Sequence, residues 1–482
     1  MARGNVFTAL YHADKTKNKQ DTEKVVIGQR KNVSAKSYIE VLESVRGSIS
    51  KNHATELANV IAEQDGQKVL KNLISKYIHQ NNLICNEIGD YNELIEKIFE
   101  DMAGFGFLTK YIYSENVEEI NINSWNDVEV IDNLCGNAPY RKLDEHFNTP
   151  EQCIDMVKKM CALGGVVIDG SQPVKDSYIF KGVRISAMIS PIVDEEVGAT
   201  ASIRRQKTNM ITREQLISYG TATGDELDFL NMCLAYGISI AIGGSTGSGK
   251  TTDLGYLLRN IPNDKRVYTI EDSRELNLIK HDETGKIINR IIHTLTRLTD
   301  DPKTNITANH LLKQALRQHP DIIVPAEMRG VEAWAAQEAG RTGHTIATTL
   351  HCNSAETAYL RILTMCQEAD TKLSENLIMT MIMEAFPVVV FKKQLQDKSR
   401  KYMEIIEPMG YENGQLKYNT LYRFVTEGWQ YDEFGAVKVV GKHKRISPLS
   451  DKLAMRMLEN GASIQDIKRF ARADWQPETE VG

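Results

Sequence analysis

A chain of 482 residues is longer than one hydrophobic core usually organises, so we expect two or more domains. An apolar fraction of 41% and a charged fraction of 25% are typical of a soluble globular protein and exclude a mainly disordered chain. The net charge of −6 gives no overall attraction to polyanions, and we therefore predict no direct nucleic-acid binding.

The cysteines and the apolar runs indicate in which cellular compartment the protein works. The 7 cysteines are scattered without C-x-x-C spacing, which argues against a disulfide framework or a structural zinc site and favours a reducing compartment. No apolar run approaches the roughly 18 residues of a membrane span, and the N-terminus lacks the apolar stretch of a signal peptide. We therefore predict a cytoplasmic protein that associates peripherally with a membrane through partner proteins.

The first half of the chain changes from helical to mixed patterning. Apolar residues at helical spacing, as in "QKVLKNLISKYIHQ", predict a helical N-terminal extension over residues 1–95. From 96 to 205 the stretch "VEEININSWNDVEVI" alternates with period two around the turn-forming "SWND", which predicts a β-hairpin. We expect a smaller α+β domain there, followed by a hinge or linker at 206–225.

The second half predicts an α/β domain. Residues 226–390 alternate helical stretches with the apolar strands "SIAIG", "RVYTI", "DIIVPA" and "TIATTL", which is typical of a mostly parallel sheet covered on both faces. Pro325 in the third strand is unusual, because proline cannot donate to a sheet ladder. Residues 391–482 combine a hairpin-like stretch with a helical end and are interpreted as a C-terminal extension.

The stretch "GGSTGSGKTT" matches the phosphate-binding pattern G-x-x-x-x-G-K-[ST] completely, with an apolar strand before it and a helical pattern after it. Those flanks exclude a loose linker, and the absence of G-x-G-x-x-G excludes a dinucleotide-binding turn. Backbone N–H groups of the glycine-rich turn and the positive end of the following helix would hold phosphate. We predict ATP and Mg²⁺ as cofactors, with Lys250 on the β and γ phosphates and the Thr251 hydroxyl on the metal ion. The predicted nucleotide-binding residues are Gly244, Ser245, Thr246, Gly247, Ser248, Gly249, Lys250, Thr251 and Thr252.

Carboxylates follow two of the other predicted strands. Glu327 comes directly after "DIIVPA" and is the candidate acid near the metal ion; the alternative is a turn acid on a solvated edge. The strand "RVYTI" ends in Glu271 and Asp272, with Glu275 close behind, and these acids would hold metal-bound water and orient the attacking water. The alternative for this group is a set of acids that favour a helix N-terminus.

Two histidines stand at the ends of the Thr-rich strand "TIATTL". If this strand runs beside the phosphate-loop strand, His351 and Thr349 lie near the γ-phosphate as a sensor; the alternative is a structural histidine. The spacing between His344 and His351 does not fit a metal pair on a helix, and no zinc is predicted.

Together these segments resemble the secretion ATPases of type II and type IV systems, most closely the branch that includes the motors of conjugation and of Tad-pilus assembly. "GGSTGSGKTT" is similar to the Walker A motif of that family, "TIEDSREL" to its Asp box, "LRQHPDIIVPAEMRG" to its Walker B motif and "TGHTIATTLHCNS" to its His box, in the same order. "GFGFLTKYIYSENVEEININ" and "ASIRR" are similar to its N-terminal domain, so the resemblance covers about residues 100–420.

The resemblance implies a RecA-like P-loop ATPase domain preceded by a smaller α+β domain, and it implies roles for several residues. Lys250 and Thr251 carry phosphate and metal, and Glu327 is the Walker B acid. Glu275 is the first candidate for positioning the water, with Glu271 second. Two N-terminal-domain arginines match positions that reach the nucleotide in the family, the alternative being ordinary surface ion pairs; they are Arg184 and Arg204.

Four residues depart from the family pattern, and none of these departures removes a catalytic group. Asp253 replaces the apolar residue usual after the two threonines, Pro325–Ala326 replaces Val-Gly before the Walker B acid, and Cys352 replaces a common alanine.

The resemblance implies an ATP-hydrolysing motor that works as a homohexameric ring, with nucleotide between the two domains. Its partners would be inner-membrane secretion or pilus platform proteins, and a coupling protein is a further candidate. Two alternatives from other classes stay open: a RecA-like motor acting directly on DNA, which predicts a basic channel, and a regulator that binds ATP without turnover.

Overall fold

The computed structural model describes residues 35–52, 66–102, 104–114, 116–132, 140–180, 182–205, 210–297, 302–431, 433, 435 and 437–477. Internal contacts divide the chain into two units, one that ends at Gly104 and one that begins at Phe105. No helix within the described ranges combines the length and the apolar character that a membrane crossing requires.

The first unit is helical, as the periodicity predicts. Residues four apart on its helices share one face and pack into a single core, to which each fully buried aliphatic side chain contributes about 2 kcal/mol. On α1 and α2 these residues are Val41, Val45 and Ile49, and Leu70, Ile74 and Ile78. The helices are α1 (Tyr38–Asn52), α2 (Gly66–Gln80) and α3 (Tyr91–Met102).

The end of this unit differs from the predicted boundary. A boundary after residue 95 falls inside α3, whose buried Ile98 and Phe99 belong to the helical core. The unit accordingly extends to Gly104. The part of the predicted extension before residue 35 lies outside the described residues.

A six-stranded antiparallel sheet opens the second unit, in the strand order β3-β2-β1-β6-β5-β4. The predicted hairpin is present, with Ser124 of β1 paired to Asp127 of β2. Helix α5 covers the sheet with Cys153, Val157 and Met160, none of which is exposed. The elements are α4 (Thr109–Ile112), β1 (Val117–Ser124), β2 (Asp127–Asp132), β3 (Arg141–Lys142), α5 (Pro150–Leu163), β4 (Val174–Phe180), β5 (Val183–Ile189) and β6 (Ala199–Arg205).

The segment predicted as a hinge contains regular structure. Residues 206–209 lie outside the described residues, and the short helix α6 (Arg213–Ser218) follows. Thr212 and Gln215 form a capping box at its start, which satisfies two N–H groups that a helix N-terminus leaves free. A second capping box, from Thr223 and Glu226, begins α7 (Gly224–Ala235).

A nine-stranded sheet forms the larger part of the unit, in the order β15-β14-β13-β12-β7-β11-β10-β8-β9. The strands from β12 to β9 in this order run parallel to one another, as the alternation of strands and helices predicts. The strands are β7 (Ile240–Gly244), β8 (Arg266–Glu271), β9 (Arg290–Leu295), β10 (Ile322–Pro325), β11 (Thr345–Leu350), β12 (Val388–Gln394), β13 (Arg400–Glu412), β14 (Gln415–Tyr431) and β15 (Val437–Arg445).

Helices cover both faces of this sheet, and two apolar cores lie between them and the strands. The fully buried β7 passes between β11 and β12, so the phosphate loop leaves the centre of the sheet. The helices are α8 (Lys250–Arg259), α9 (Ala308–Ala315), α10 (Glu332–Arg341), α11 (Ala355–Gln367), α12 (Glu375–Ala385), α13 (Asp451–Glu459) and α14 (Ile464–Lys468), with a 3₁₀ turn at Pro302–Thr304.

The C-terminal strands continue the same sheet. A boundary after residue 390 divides β12, and β13 to β15 extend the sheet from β12 as an antiparallel meander that ends at β15. Phe470 and Trp475 are buried in the core that also contains Phe229 of α7. Residues 391–477 are therefore built into the α/β domain and do not form a separate extension.

Candidate functional site

The phosphate-binding pattern forms the turn between β7 and α8. Gly247 and Gly249 have φ angles of +75° and +82°, in the left-handed region that glycine adopts without strain. A Cβ at Gly244 would lie 2.1 Å from the Lys392 carbonyl oxygen, so only glycine fits there. Turns with such left-handed residues form anion-binding concavities, and the first turn of α8 adds free N–H groups. All nine predicted nucleotide-binding residues lie in this turn or in the first turn of α8.

Lys250 lies across the turn. Its Nζ donates to the carbonyl oxygens of Gly244 and Ser245, both at 3.0 Å, and lies 3.4 Å from Nδ1 of His351. The residue is 7% exposed. Burial lowers the pKa of Lys250, while the Glu327 carboxylate opposes that shift.

The carboxyl ends of the parallel strands meet at one edge of the sheet, where ligands bind in α/β folds. Gly244 ends β7, Glu271 ends β8, and Glu327 follows β10. His351 follows β11, which pairs with β7. Pro325 is the last residue of β10, and the next residue, Ala326, resumes donation to the neighbouring strand at Ile270.

Glu327 lies between two basic side chains of the site, Arg329 and His351. Its Oε2 accepts from Arg329 Nη2 at 2.8 Å, and its Oε1 lies 3.2 Å from Nε2 of His351. Burial favours the neutral carboxyl, but the hydrogen bond and charge of Arg329, together with the Lys250 ammonium, outweigh it and lower the pKa of Glu327. The group is therefore a carboxylate at neutral pH. Burial and the Lys250 ammonium lower the pKa of His351, so its imidazole is neutral there.

Glu271 supports the loop that follows β8. Its side chain is 1% exposed, and Oε2 accepts from the backbone N–H groups of Glu275 and Leu276, both at 2.8 Å. Oε1 accepts from the Thr269 hydroxyl at 3.0 Å and lies 3.5 Å from Nδ1 of His293. Burial acts to raise the pKa of Glu271, but these hydrogen bonds prevail and lower it. Both oxygens are thus occupied by the protein itself.

Glu275 is exposed as a whole residue, but its carboxyl lies among charged groups of the site that partly shield it from water. Its withdrawal from water by surrounding groups raises the pKa of its carboxyl, Arg204 acts in the opposite direction, and the carboxylates of Glu271 and Glu327 add to the rise. A hydrogen bond from Thr251 also acts to lower it. A carboxylate with a raised pKa is a stronger base, as orientation of a water molecule requires.

The two predicted arginines face each other across strands. Arg184 of β5 pairs directly with Arg204 of β6, which puts both side chains on one sheet face. Arg204 acts electrostatically on Glu275, whereas Arg184 forms an exposed ion pair with Asp176, Nη2 to Oδ2 at 2.9 Å. Arg204 therefore lies near the site, whereas Arg184 contacts Asp176 of the neighbouring strand β4.

Two other candidates have roles in the sheet. The Thr349 hydroxyl donates to the Ala326 carbonyl at 2.8 Å, a link between β11 and the segment after β10. His344 lies before β11, at the opposite end of the strand from His351.

Several residues around the site carry no clear signal in the sequence. Arg329 lies within the Walker B stretch and was signalled only by its spacing of two from Glu327. His293, Lys392 and Arg400 lie outside all four motifs, and no local pattern marks them.

The oxygen donors of the site suit a magnesium ion. Mg²⁺ is bound in nucleotide sites through one or two protein oxygens together with waters and phosphates. The Thr251 hydroxyl and the ionised Glu327 carboxylate supply such oxygens. Within the described part of the chain, no group of three or more His, Cys, Asp or Glu side chains is arranged to hold a metal ion by itself.

Comparison with known proteins places these motifs in a family. Residues 177–421, half of the chain, match the family model described as type II/IV secretion system protein. This stretch includes β5, β6 and every candidate site residue.

Individual relatives match stretches of different lengths. An uncharacterised protein of Methanocaldococcus jannaschii is 29% identical over 251 residues, 52% of this chain and 43% of that protein. The type IV secretion system protein PtlH of Bordetella pertussis is 37% identical over 142 residues, 29% of this chain and 40% of that protein. The chain spans less than half the length of the first curated relatives it matches. The solved VirB11 ATPase of the Brucella suis type IV secretion system is 24% identical, with a TM-score of 0.32, over 62% of this chain and 95% of that one.

Proposed function

Because this chain belongs to the type II/IV secretion system protein family, we propose that it hydrolyses ATP with Mg²⁺ and passes the work to a secretion or pilus-assembly apparatus. One observation carries the proposal. The ends of three neighbouring parallel strands place His351 3.4 Å from Lys250 and 3.2 Å from Glu327 beside the glycine-rich turn.

The glycine-rich turn binds the triphosphate. Backbone N–H groups of residues 244–252 and the N-terminal end of α8 supply positive potential toward the phosphates. The Lys250 ammonium exchanges its two backbone carbonyl partners for phosphate oxygens. Thr251 and Glu327 hold Mg²⁺, which neutralises the charge of the phosphates when bound.

Glu275 positions the attacking water. Its raised pKa and its exposure make it a stronger candidate than Glu271, whose oxygens are occupied by backbone N–H groups and the Thr269 hydroxyl. Glu271 acts through Glu275, because its carboxylate holds the backbone N–H of that residue. His351, neutral and between Lys250 and Glu327, senses the γ-phosphate.

Hydrolysis depends on closure between the six-stranded and nine-stranded sheets. Arg204 comes from the first sheet and acts on Glu275 of the second, and the Tyr178 hydroxyl donates to the Asp272 carbonyl at 3.3 Å. An arginine supplied to a phosphoryl-transfer site in this way is worth about 10³–10⁵ in rate. Residues 206–225 serve as the hinge, and closure brings both Arg204 and Arg184 to the phosphates.

The assembly follows from the same proposal. The protein forms a homohexameric ring in the cytoplasm and attaches to the membrane through inner-membrane platform proteins, with a coupling protein as a further partner. The relative PtlH is a type IV secretion system protein, which supports this context. Mass photometry with and without ATP tests this assembly. We expect a mass of six copies of the chain in the presence of nucleotide.

The direct test is phosphate release by the purified protein and by Lys250→Ala. We expect magnesium-dependent release by the wild type and none by the variant. Unchanged circular dichroism would show that the variant stays folded. Turnover by Lys250→Ala equal to that of the wild type would refute the assignment. Binding without release would indicate an ATP-dependent switch, and strong stimulation by DNA would indicate a DNA motor.

A further inference from the structure

We propose that Lys392 and Arg400, with Asp253, are positioning residues that hold the phosphate-binding turn in its binding conformation and so set the affinity for ATP. The inference rests on the proposed ATP site. It concerns residues outside the four motifs, on β12, β13 and the first helix after the turn.

A buried ion pair lies directly behind the turn. Asp253 of α8 and Lys392 of β12 are joined Oδ2 to Nζ at 2.5 Å, with side chains 0% and 3% exposed. The register of the parallel pairing places Lys392 beside Gly244, where the turn begins. The Tyr402 ring lies against Lys392, with 5.9 Å between Nζ and the ring centroid. The acid that departs from the family pattern thus has its partner 139 residues away, on the neighbouring strand.

Both cations donate to carbonyl oxygens of the turn. Lys392 Nζ donates to the Gly249 oxygen at 3.2 Å. Arg400 Nε donates to the Gly247 oxygen at 2.9 Å. These two glycines are the ones with left-handed φ angles, so the donors hold the two peptide units that define the shape of the turn.

The orientation of a carbonyl fixes the orientation of the next N–H group. The peptide unit is planar and trans, so the C=O of one residue and the N–H of the next point in opposite directions. Donors outside the turn at Gly247 and Gly249 therefore direct the N–H groups of Ser248 and Lys250 inward. The Lys250 N–H faces the concavity proposed to bind phosphate, and the Ser248 N–H donates to the Ser245 carbonyl oxygen at 3.3 Å inside the turn until phosphate replaces that acceptor.

Asp253 makes the position of Lys392 possible. An isolated ammonium is costly to bury, and a carboxylate partner offsets that cost. Burial raises the pKa of Asp253 and lowers the pKa of Lys392, so each group depends on the other to stay charged. The pair therefore places a donor behind the turn without adding net charge to the site.

A paired replacement separates this role from a purely structural one. Asp253→Leu with Lys392→Met exchanges the ion pair for an apolar pair, and such exchanges in protein interiors are often neutral or stabilising. We expect a melting temperature at or above that of the wild type and a Kd for Mg–ATP about tenfold weaker, because one charged donor to the turn is lost. KM for ATP should rise by a similar factor with little change in kcat.

Arg400→Met provides a second variant on an exposed side chain, in case the paired replacement fails to fold. We expect Mg–ATP binding about threefold to tenfold weaker with an unchanged melting temperature. Arg423→Met is the matched control: it removes one exposed arginine from the adjacent strand, where Arg423 bonds Glu404, and should bind Mg–ATP within about twofold of wild type.

Isothermal titration with Mg–ATP decides between the outcomes. Weaker binding by folded Arg400→Met and by the folded paired variant, with Arg423→Met unchanged, supports the proposal. Wild-type affinity in a folded variant overturns it, as does equal weakening by Arg423→Met. If the wild type itself fails to bind Mg–ATP, the ATP site as a whole is refuted, which is a different result from wild-type affinity in the variants.

Discussion

Separate replacement of Glu271 and Glu275 tests whether Glu271 holds the loop after β8 in place and whether Glu275 takes part in ATP hydrolysis. We predict that Glu271→Ala opens the loop after β8 and abolishes turnover, whereas Glu275→Gln keeps the loop and loses turnover. Both acids belong to one short stretch, yet one is buried and fully hydrogen-bonded and the other is exposed.

The expected size of the effect follows from the contacts. Glu271→Ala leaves the N–H groups of Glu275 and Leu276 without their acceptor, and a buried donor left unsatisfied costs about 1–3 kcal/mol. Two such donors amount to roughly 2–6 kcal/mol of local stability, or about 30-fold to 10⁴-fold in exchange rate. Glu275→Gln should change stability by less than about 0.5 kcal/mol, as surface substitutions do. It should slow hydrolysis by about 10²–10⁴.

Amide hydrogen exchange of peptides covering 271–278 measures loop opening, and phosphate release measures turnover. Asp282→Ala is the matched control, because its carboxylate also accepts backbone N–H groups, from Thr284 and Lys286, but in an exposed loop where water replaces it. Normal exchange in Glu271→Ala, or turnover by Glu275→Gln within twofold of the wild type, would refute the assignment of roles.

Three further predictions concern the same site. Glu327→Gln should bind ATP within about threefold of wild type but lose hydrolysis by about 10² and need more Mg²⁺; normal kcat at normal Mg²⁺ contradicts it. Gly249→Ala should weaken ATP binding about tenfold in calorimetry, since φ of +82° costs alanine about 1–2 kcal/mol and its Cβ would lie 3.2 Å from Lys392 Nζ. Gly285→Ala, with φ of +83° and open space around it, should leave binding unchanged. The pKa values of Glu271 and Glu327 are lowered in the folded protein, so their ionised forms stabilise it. This stability is complete above the ordinary glutamate pKa of about 4.3 and is lost as pH falls through the folded pKa values. Between pH 6 and pH 3, the melting temperature should therefore fall less for Glu327→Gln than for the wild type.

Local motifs predicted the backbone structure around the glycine-rich turn. The glycine-rich pattern is contiguous, and its backbone conformation depends on glycines at fixed positions, so the sequence alone predicts the turn and its flanking strand and helix. The parallel sheet follows from alternating strands and helices. The order of the strands in that sheet does not follow from this alternation, because the connections between strands are long enough to reach several different neighbours.

Contacts between distant segments could not be read from the sequence. Asp253 is recognisable as a departure from the family pattern, but nothing near it indicates Lys392 as its partner. The hairpin-like stretch after residue 390 predicts strands, yet it does not indicate which sheet those strands join. Likewise the different roles of Glu271 and Glu275 depend on where two backbone N–H groups point.

The last strand of the nine-stranded sheet has a practical consequence for shortened versions of the protein. β15 ends the sheet and carries Lys438, Lys442 and Lys444, charges that discourage a second chain from adding to the open edge. A truncation after residue 431 would leave the 17-residue β14 as the edge, with Trp429 and Tyr431 exposed at its tip. Such a fragment would present a long unpaired ladder to its neighbours and would aggregate during expression, whereas fragments that end after residue 477 keep the lysine-rich border.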